Sequence, residues 1–161
     1  MGLPATEPVM ELIAQDIQAT LETISPTDVA ADYWTTVEVV TRGEKGDPTI
    51  NLTPHLIVWI DSIQTRDELD AEIYSLNEED FLVTVEAHMD EQENISRALL
   101  RMIRDIRTAI MLDPKRGGNA IHTFITGADT WLPDSTNPRA LARCDFRVRY
   151  RTRTGDLETV V

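Results

Sequence analysis

The sequence predicts an α+β domain in which two main helices pack on one face of a mostly antiparallel sheet of about four to five strands. Two observations carry this prediction. Apolar residues recur at helical spacing in two segments, and several shorter segments are rich in β-branched residues and bounded by Gly, Pro, Asn or Asp. With 161 residues, 42% of them apolar, the chain suits a single domain over 1–161 with a sizeable core.

The first helix is predicted over residues 8–25. Its apolar residues recur at helical spacing: Val9, Leu12, Ile13, Ile17, Leu21 and Ile24. Pro8 suits a first helical turn, and Pro26 follows the predicted end. Residues 34–41 are β-branched with partial alternation and predict a strand, which leads into a long loop over 42–54 with two Gly and two Pro.

Two further strands are predicted in the middle of the chain. Residues 55–63 are apolar enough for a buried strand, and residues 80–88 resemble another, preceded by a turn-like acidic stretch at 77–80. Between them, residues 71–76 predict a short additional strand.

A second helix is predicted over residues 91–112. Its apolar stripe consists of Ile95, Leu99, Met102, Ile106 and Ile110. Asp90 and Glu93 resemble a capping box at its start, and Asp113-Pro114 ends it.

The final strands carry the clearest alternation. Residues 121–126 and 143–152 are predicted as strands, and 154–161 as a flexible tail. In the last strand the apolar side chains Phe146, Val148 and Tyr150 point to one face. The other face receives Arg147, Arg149, Arg151 and Arg153.

Charge is divided unevenly along the chain. Residues 1–95 contain 21 Asp/Glu and 3 Lys/Arg, whereas residues 96–161 contain 7 Asp/Glu and 12 Lys/Arg. The net charge is −13. Such a division favours head-to-tail attraction between copies, and a heterologous contact of that kind generates rings or filaments. The alternative is a soluble domain whose acidic excess keeps it dispersed.

The order of elements resembles the tail terminator, or tail completion, proteins of long-tailed bacteriophages (siphovirus minor tail proteins). The resemblance extends over residues 9–156 and is carried by that order and by two segments, 103–114 and 146–156. It implies a ring, typically of six subunits, that covers the head-proximal end of the tail tube in the virion. The implied partners are further copies of the chain, the tail tube protein and the head connector or completion protein. The family has no catalytic motif to carry over.

A ring would close when a basic strand face and helix flank meet a neighbour's acidic face and exposed strand edges pair through their main chains. The basic candidates are Arg147, Arg149, Arg151, Arg153, Arg97, Arg101 and Arg104; the acidic candidates are Asp67, Glu68, Asp70 and Glu72. An acidic lumen would let DNA pass without binding it. The virion is the expected location, with the host cytoplasm as the site of assembly.

Other functions remain open at this point. The arginine strand could bind nucleic acid or form a solvated face, and the acidic residues with Glu78–Asp80 could bind Ca²⁺ or Mg²⁺, although no central Gly of an EF-hand loop is present. Another neck protein, a nucleic-acid-associated module and a metal-dependent enzyme are the alternatives.

Other chemistry-bearing residues suggest no enzyme, cofactor or metal. Cys144 is expected to be a small buried residue, and the histidines His55, His88 and His122 are expected to be strand-end side chains. Trp34, Trp59 and Trp131 are expected to anchor the core or an interface. No phosphate loop or G-x-S-x-G motif is found, and no apolar run is long enough to cross a membrane.

Overall fold

The computed structural model describes residues 7–28, 31–43, 49–65, 76–90, 92–153 and 156–160. These ranges form two α-helices and six strands, which confirms the α+β class. In chain order the elements are α1 (Val9–Glu22), β1 (Val39–Arg42), β2 (His55–Thr65), β3 (Leu76–Asp90), α2 (Ile95–Leu112), β4 (His122–Trp131), β5 (Arg139–Arg153) and β6 (Asp156–Val160). A 3-10 turn at Arg116–Gly118 follows α2.

The strands form one mixed sheet in the order β1-β2-β3-β5-β4, and β6 pairs with the end of β5. β1 runs parallel to β2, whereas the other pairings are antiparallel. The mostly antiparallel sheet is therefore confirmed, with one strand more than the expected four to five. The extra strand is β6, which lies within the tail that the sequence predicted to be flexible.

The first strand and the third strand differ most from their predicted bounds. β1 begins at Val39 rather than at residue 34, because the backbone N–H groups of Trp34 and Thr35 donate to the Asp105 carboxylate instead of to a neighbouring strand. β3 begins at Leu76, so the predicted turn at 77–80 lies within a strand. The rest of the short strand predicted at 71–76 lies outside the described residues.

The start predicted for the second helix is wrong. α2 begins at Ile95, and Asn94 precedes it in the left-handed conformation (φ 58°) without a side-chain cap. Asp90, the expected cap, is the last residue of β3, and its carboxylate accepts a hydrogen bond from the Thr53 hydroxyl at 2.9 Å. Asp90 therefore forms a tertiary hydrogen bond instead of capping the helix. The first helix also ends earlier than expected, at Glu22.

One hydrophobic core contains residues of both helices and of the sheet. Alternate residues of β5 are buried in it: Ala140, Ala142, Cys144, Phe146, Val148 and Tyr150. α1 contributes Ile13 and Ile17 to the same cluster, and α2 contributes Leu99, Met102 and Ile106. We call the face of the sheet that carries these buried β5 residues the buried face, and the opposite one the outer face. No helix in the described part of the chain is long and apolar enough to cross a membrane.

Candidate functional site

The outer face of β5 carries the arginines that the sequence singled out. Its residues are Arg139, Leu141, Arg143, Asp145, Arg147, Arg149 and Arg151, all partly exposed. They alternate with buried residues such as Phe146 and Val148, as a strand with one buried face requires. The predicted separation of the two faces is therefore confirmed. The side chain of Arg153 lies outside the described residues.

These arginines pair with acidic residues of β3 in the same chain. Register sets the pairs, since Arg149 lies opposite Asp80 and Arg151 opposite Glu78. Arg149 Nε donates to Asp80 Oδ1 at 3.0 Å, and Arg151 Nε donates to Glu78 Oε2 at 2.8 Å. Arg147 Nε lies 3.8 Å from Asp80 Oδ2. The sequence had assigned this charge to contacts between copies, but the arginines have partners within the subunit.

The Phe124 ring of β4 provides a second contact for two of these arginines. The guanidinium carbon of Arg147 lies 4.8 Å from the ring centroid, and that of Arg149 lies 5.3 Å from it. Cations at such distances are attracted by the ring electrons. Arg147 and Arg149 are therefore held between a carboxylate on one neighbouring strand and an aromatic ring on the other. We call Arg147, Arg149, Arg151 and their partners the arginine ladder.

A second polar group lies further along the outer face. The Thr84 hydroxyl lies 2.6 Å from Asp61 Oδ2 and 2.7 Å from Asp145 Oδ1, and Arg143 Nε donates to Asp145 Oδ1 at 2.9 Å. The hydrogen bond from Arg143 to Asp145 raises the pKa of that arginine, so its charge is retained. Thr84, at 2% exposure, joins β2 to β5 through these carboxylates.

Two of the three histidines lie side by side on the outer face. His55 begins β2, as predicted, and lies directly opposite His88 of β3. His55 Nε2 and the Thr41 hydroxyl are 2.8 Å apart. Burial, with the charges of His88 and Arg139, lowers the pKa of His55. Hydrogen bonds donated by His88 and Trp59 lower the pKa of Glu86.

The helix arginines belong to a different part of the surface. They lie on α2, whose buried side packs on the buried face, so the structure does not bring them together with the arginine ladder. The guanidinium carbon of Arg101 stacks 4.2 Å from the Trp34 ring centroid, and Arg104 donates to the Asp32 carbonyl at 2.5 Å. Arg97 and Arg101 line a cavity of about 260 Å³ with Trp34.

Asp105 is a buried acid that the sequence analysis missed. Its carboxylate is fully buried, and Oδ2 accepts hydrogen bonds from Trp34 N at 2.8 Å, Thr35 N at 2.9 Å and the Thr35 hydroxyl at 2.7 Å. The signal was present in the sequence, since position 105 borders the apolar stripe of the second helix. An acid at such a position must find donors in the fold.

Arg116 is the second missed residue. It is fully buried with a positive φ of 49°, and its guanidinium donates to the carbonyls of Ile110 and Asp113 near the end of α2. Nη1 also lies 3.0 Å from Asp16 Oδ2 of α1. Desolvation lowers the pKa of Arg116 and raises that of Asp16, so burial opposes both charges while their proximity favours them. The contact joins the two helices.

The predicted acidic partner surface is not described. Asp67, Glu68, Asp70 and Glu72 lie outside the described residues. Within the described ranges, no group of three or more His, Cys, Asp or Glu side chains is arranged to hold a metal ion.

Trp34 and Trp131 are 57% and 46% exposed, so neither belongs to the core, whereas Cys144 is fully buried as expected.

Comparison with known proteins adds no assignment: no protein-family model matches the chain, and no curated protein matches it either.

Proposed function

We propose that this protein is a structural virion protein of a long-tailed bacteriophage, which forms a ring, typically hexameric, at the head-proximal end of the tail tube. The ring stops growth of the tube and joins it to the head connector or completion protein. Its partners are further copies of itself, the tail tube protein and the connector. DNA passes through the lumen without specific binding, and no enzymatic step is involved.

The element order is the observation that carries this proposal. An amphipathic helix, a strand, a loop with Pro54, two antiparallel strands, a long helix followed by Asp113-Pro114 and a long final strand occur in the order on which the resemblance rests. The proposal includes the finer arrangement in which both helices cover the same face of the sheet. Their shared hydrophobic cluster supports that arrangement.

Charge gives independent support for a conduit through which DNA passes. The chain carries a net charge of −13, and a ring multiplies that value by its number of copies. Arg147, Arg149 and Arg151 interact with Glu78 and Asp80, which lowers the positive field that they present. Phosphate groups are therefore repelled by the whole ring rather than held by it. These pairs also weigh against a nucleic-acid-binding module.

Labelling of virions tests the proposed location. Gold-conjugated antibody against this protein, applied to virions of the phage that encodes it, is expected to mark the junction of head and tail. Antibody against the tube protein, which should mark the whole tail, is the matched control. Label at the distal tip, along the tube or on the capsid shell would contradict the proposal.

A further inference from the structure

Besides the outer sides of the short strands β1 and β6, two longer stretches of strand edge have no strand partner in the described part of the chain. β1 covers only the first four residues of β2, from His55 to Val58. The remaining seven, Trp59–Thr65, pair with β3 on one side and with no described strand on the other. At the opposite end of the sheet, β4 pairs with β5 alone among the described strands. Unpaired edges of this length are templates for pairing with another chain.

The charged side chains that usually prevent such pairing are few in these two segments, although each segment contains a β-bulge, at Ile60/Ser62 and at Ile125/Gly127. Residues 122–127 of β4 contain no Asp, Glu, Lys or Arg, although such residues make up 27% of the chain. Residues 59–65 of β2 contain one, Asp61, whose carboxylate accepts a hydrogen bond from Thr84. Apolar side chains are exposed instead, with Ile60 at 43%, Ile63 at 40% and Ile125 at 41%.

The two edges are matched in position and in direction. One row of the sheet runs Ile60, Val83, Phe146, Ile125, with buried residues at its centre and exposed isoleucines at both ends. β2 and β5 run one way, β3 and β4 the other. β4 of one copy placed beside β2 of the next would be antiparallel, so the alternation of directions and of faces would continue across the contact.

We propose that the sheet continues from copy to copy, with His122–Gly127 of β4 pairing with Trp59–Thr65 of β2 in a second copy of this chain. Ile125 of one subunit then packs against Ile60 or Ile63 of the next. The contact is heterologous, because two different edges meet, and it therefore leads to a ring or a filament. This inference rests on the proposed function, because the contact is the one that closes the proposed ring.

Disulfide trapping tests the contact. I60C and I125C are prepared as separate proteins, mixed at high concentration and oxidised, and the products are separated without reductant. Opposed residues in antiparallel strands have Cβ atoms about 4.5–5.5 Å apart, which suits a disulfide after a small adjustment. A mixture of I60C with S96C, whose thiol lies on the exposed side of α2, gives the background from random collision. Wild type controls for Cys144, which is fully buried.

Mixed dimers of I60C with I125C are expected at about tenfold or more above the S96C background, because a specific contact raises the effective concentration of the thiols. The double variant I60C/I125C is expected to give a ladder of oligomers. Replacing I60C by I63C shifts the register by two rows, from the row of Val83 to that of Phe81, and enrichment with either partner supports the proposal. Mixed dimers at background level with both partners, or dimers of I125C with itself at the level of the mixture, would overturn it.

Disulfide trapping tests the contact, and virion labelling tests the proposed function, so the two proposals can be contradicted separately. Label at the head–tail junction with no enriched mixed dimer would leave the proposed function standing and remove this contact. Enriched mixed dimers with label elsewhere on the virion would leave the contact standing and remove the proposed function.

Discussion

Arg149 shows how a single residue is fixed on the outer face. Its guanidinium interacts with Asp80, lies 3.6 Å from Glu78 and stacks near the Phe124 ring, while its side chain is 22% exposed. Exposed ion pairs contribute about 0.2–1 kcal/mol each, whereas hydrogen bonds to charged groups contribute about 1.5–3 kcal/mol. The arginine ladder, whose acids Glu78 and Asp80 are buried, therefore both orders the outer face and stabilises the fold. Most of the stability at these positions comes from the buried residues between the arginines.

Substitutions on the two faces of β5 should differ strongly in their effect. Phe146→Ala is expected to lower the free energy of unfolding by about 3–5 kcal/mol, because Phe146 is 2% exposed and its loss leaves a cavity. Arg149→Gln, the matched change on the other face, should cost less, about 1.5–3 kcal/mol, the usual value of a hydrogen bond to a charged group. Urea unfolding of the two variants measures both values. An unfolded Arg149→Gln with a stable Phe146→Ala would mean that the faces are inverted.

His55 should make stability depend on pH below about 6.5. Its pKa in the folded protein lies below that of the unfolded chain, about 6.5, so the unfolded state takes up the proton first. The stabilisation is therefore complete above about pH 6.5 and is lost as the pH falls. His55→Gln, which keeps a polar group for Thr41, should flatten this slope in urea unfolding at several pH values. Equal slopes for His55→Gln and wild type would contradict this assignment.

At the scale of elements, α2 positions the loop that leads to β1. The Asp105 carboxylate satisfies two backbone N–H groups of that loop and thereby replaces strand pairing at Trp34 and Thr35. Asp105→Ala is expected to cost about 1–3 kcal/mol for each donor left without a partner. Arg97→Ala, on the exposed side of the same helix, is the control and should cost about 0.5 kcal/mol or less. An Asp105→Ala protein as stable as the control would show that water replaces the carboxylate.

Sequence periodicity was sufficient to predict those elements that have one buried face. The alternation of β5 and the apolar stripe of α2 follow from local spacing alone, and both were predicted from it. The residues Glu78–Asp80 show where prediction from local sequence failed. An acidic run resembles a turn, yet this one is strand, because each acid has a partner on β5 about seventy residues away. Glu78 and Asp80 pair with arginines, and Glu79 accepts a hydrogen bond from the Tyr150 hydroxyl. Long-range partners override local preference in strands, and register is not visible in the pattern.

The candidate site was predicted only in part, because periodicity shows faces but not long-range partners. The arginine positions on one face follow from a period of two, but their intramolecular partners depend on the pairing of β3 with β5. The buried pair of Arg116 and Asp16 depends on the packing of α1 beside the end of α2. Neither contact leaves a spacing signal in the sequence, since the residues involved are distant along the chain.

At the scale of the whole molecule, the parallel pairing of β1 with β2 sets the shape of one sheet edge. Parallel neighbours need a long connection, about a dozen residues or more, and residues 43–54 supply it. Because β1 is short, the second half of β2 has no described neighbour on that side. The molecule thus has two different sheet ends, which is the asymmetry that a head-to-tail assembly requires.

We propose that this protein forms the ring that terminates a tail tube. A tube end keeps accepting identical rings until a ring with a matching lower surface and a different upper surface covers it. Electron microscopy of a lysate from a phage with a nonsense mutation in this gene tests that claim most directly. The account predicts heads filled with DNA beside unattached tail tubes of uncontrolled length. Tails of normal length joined to heads, or empty heads without any tails, would contradict it.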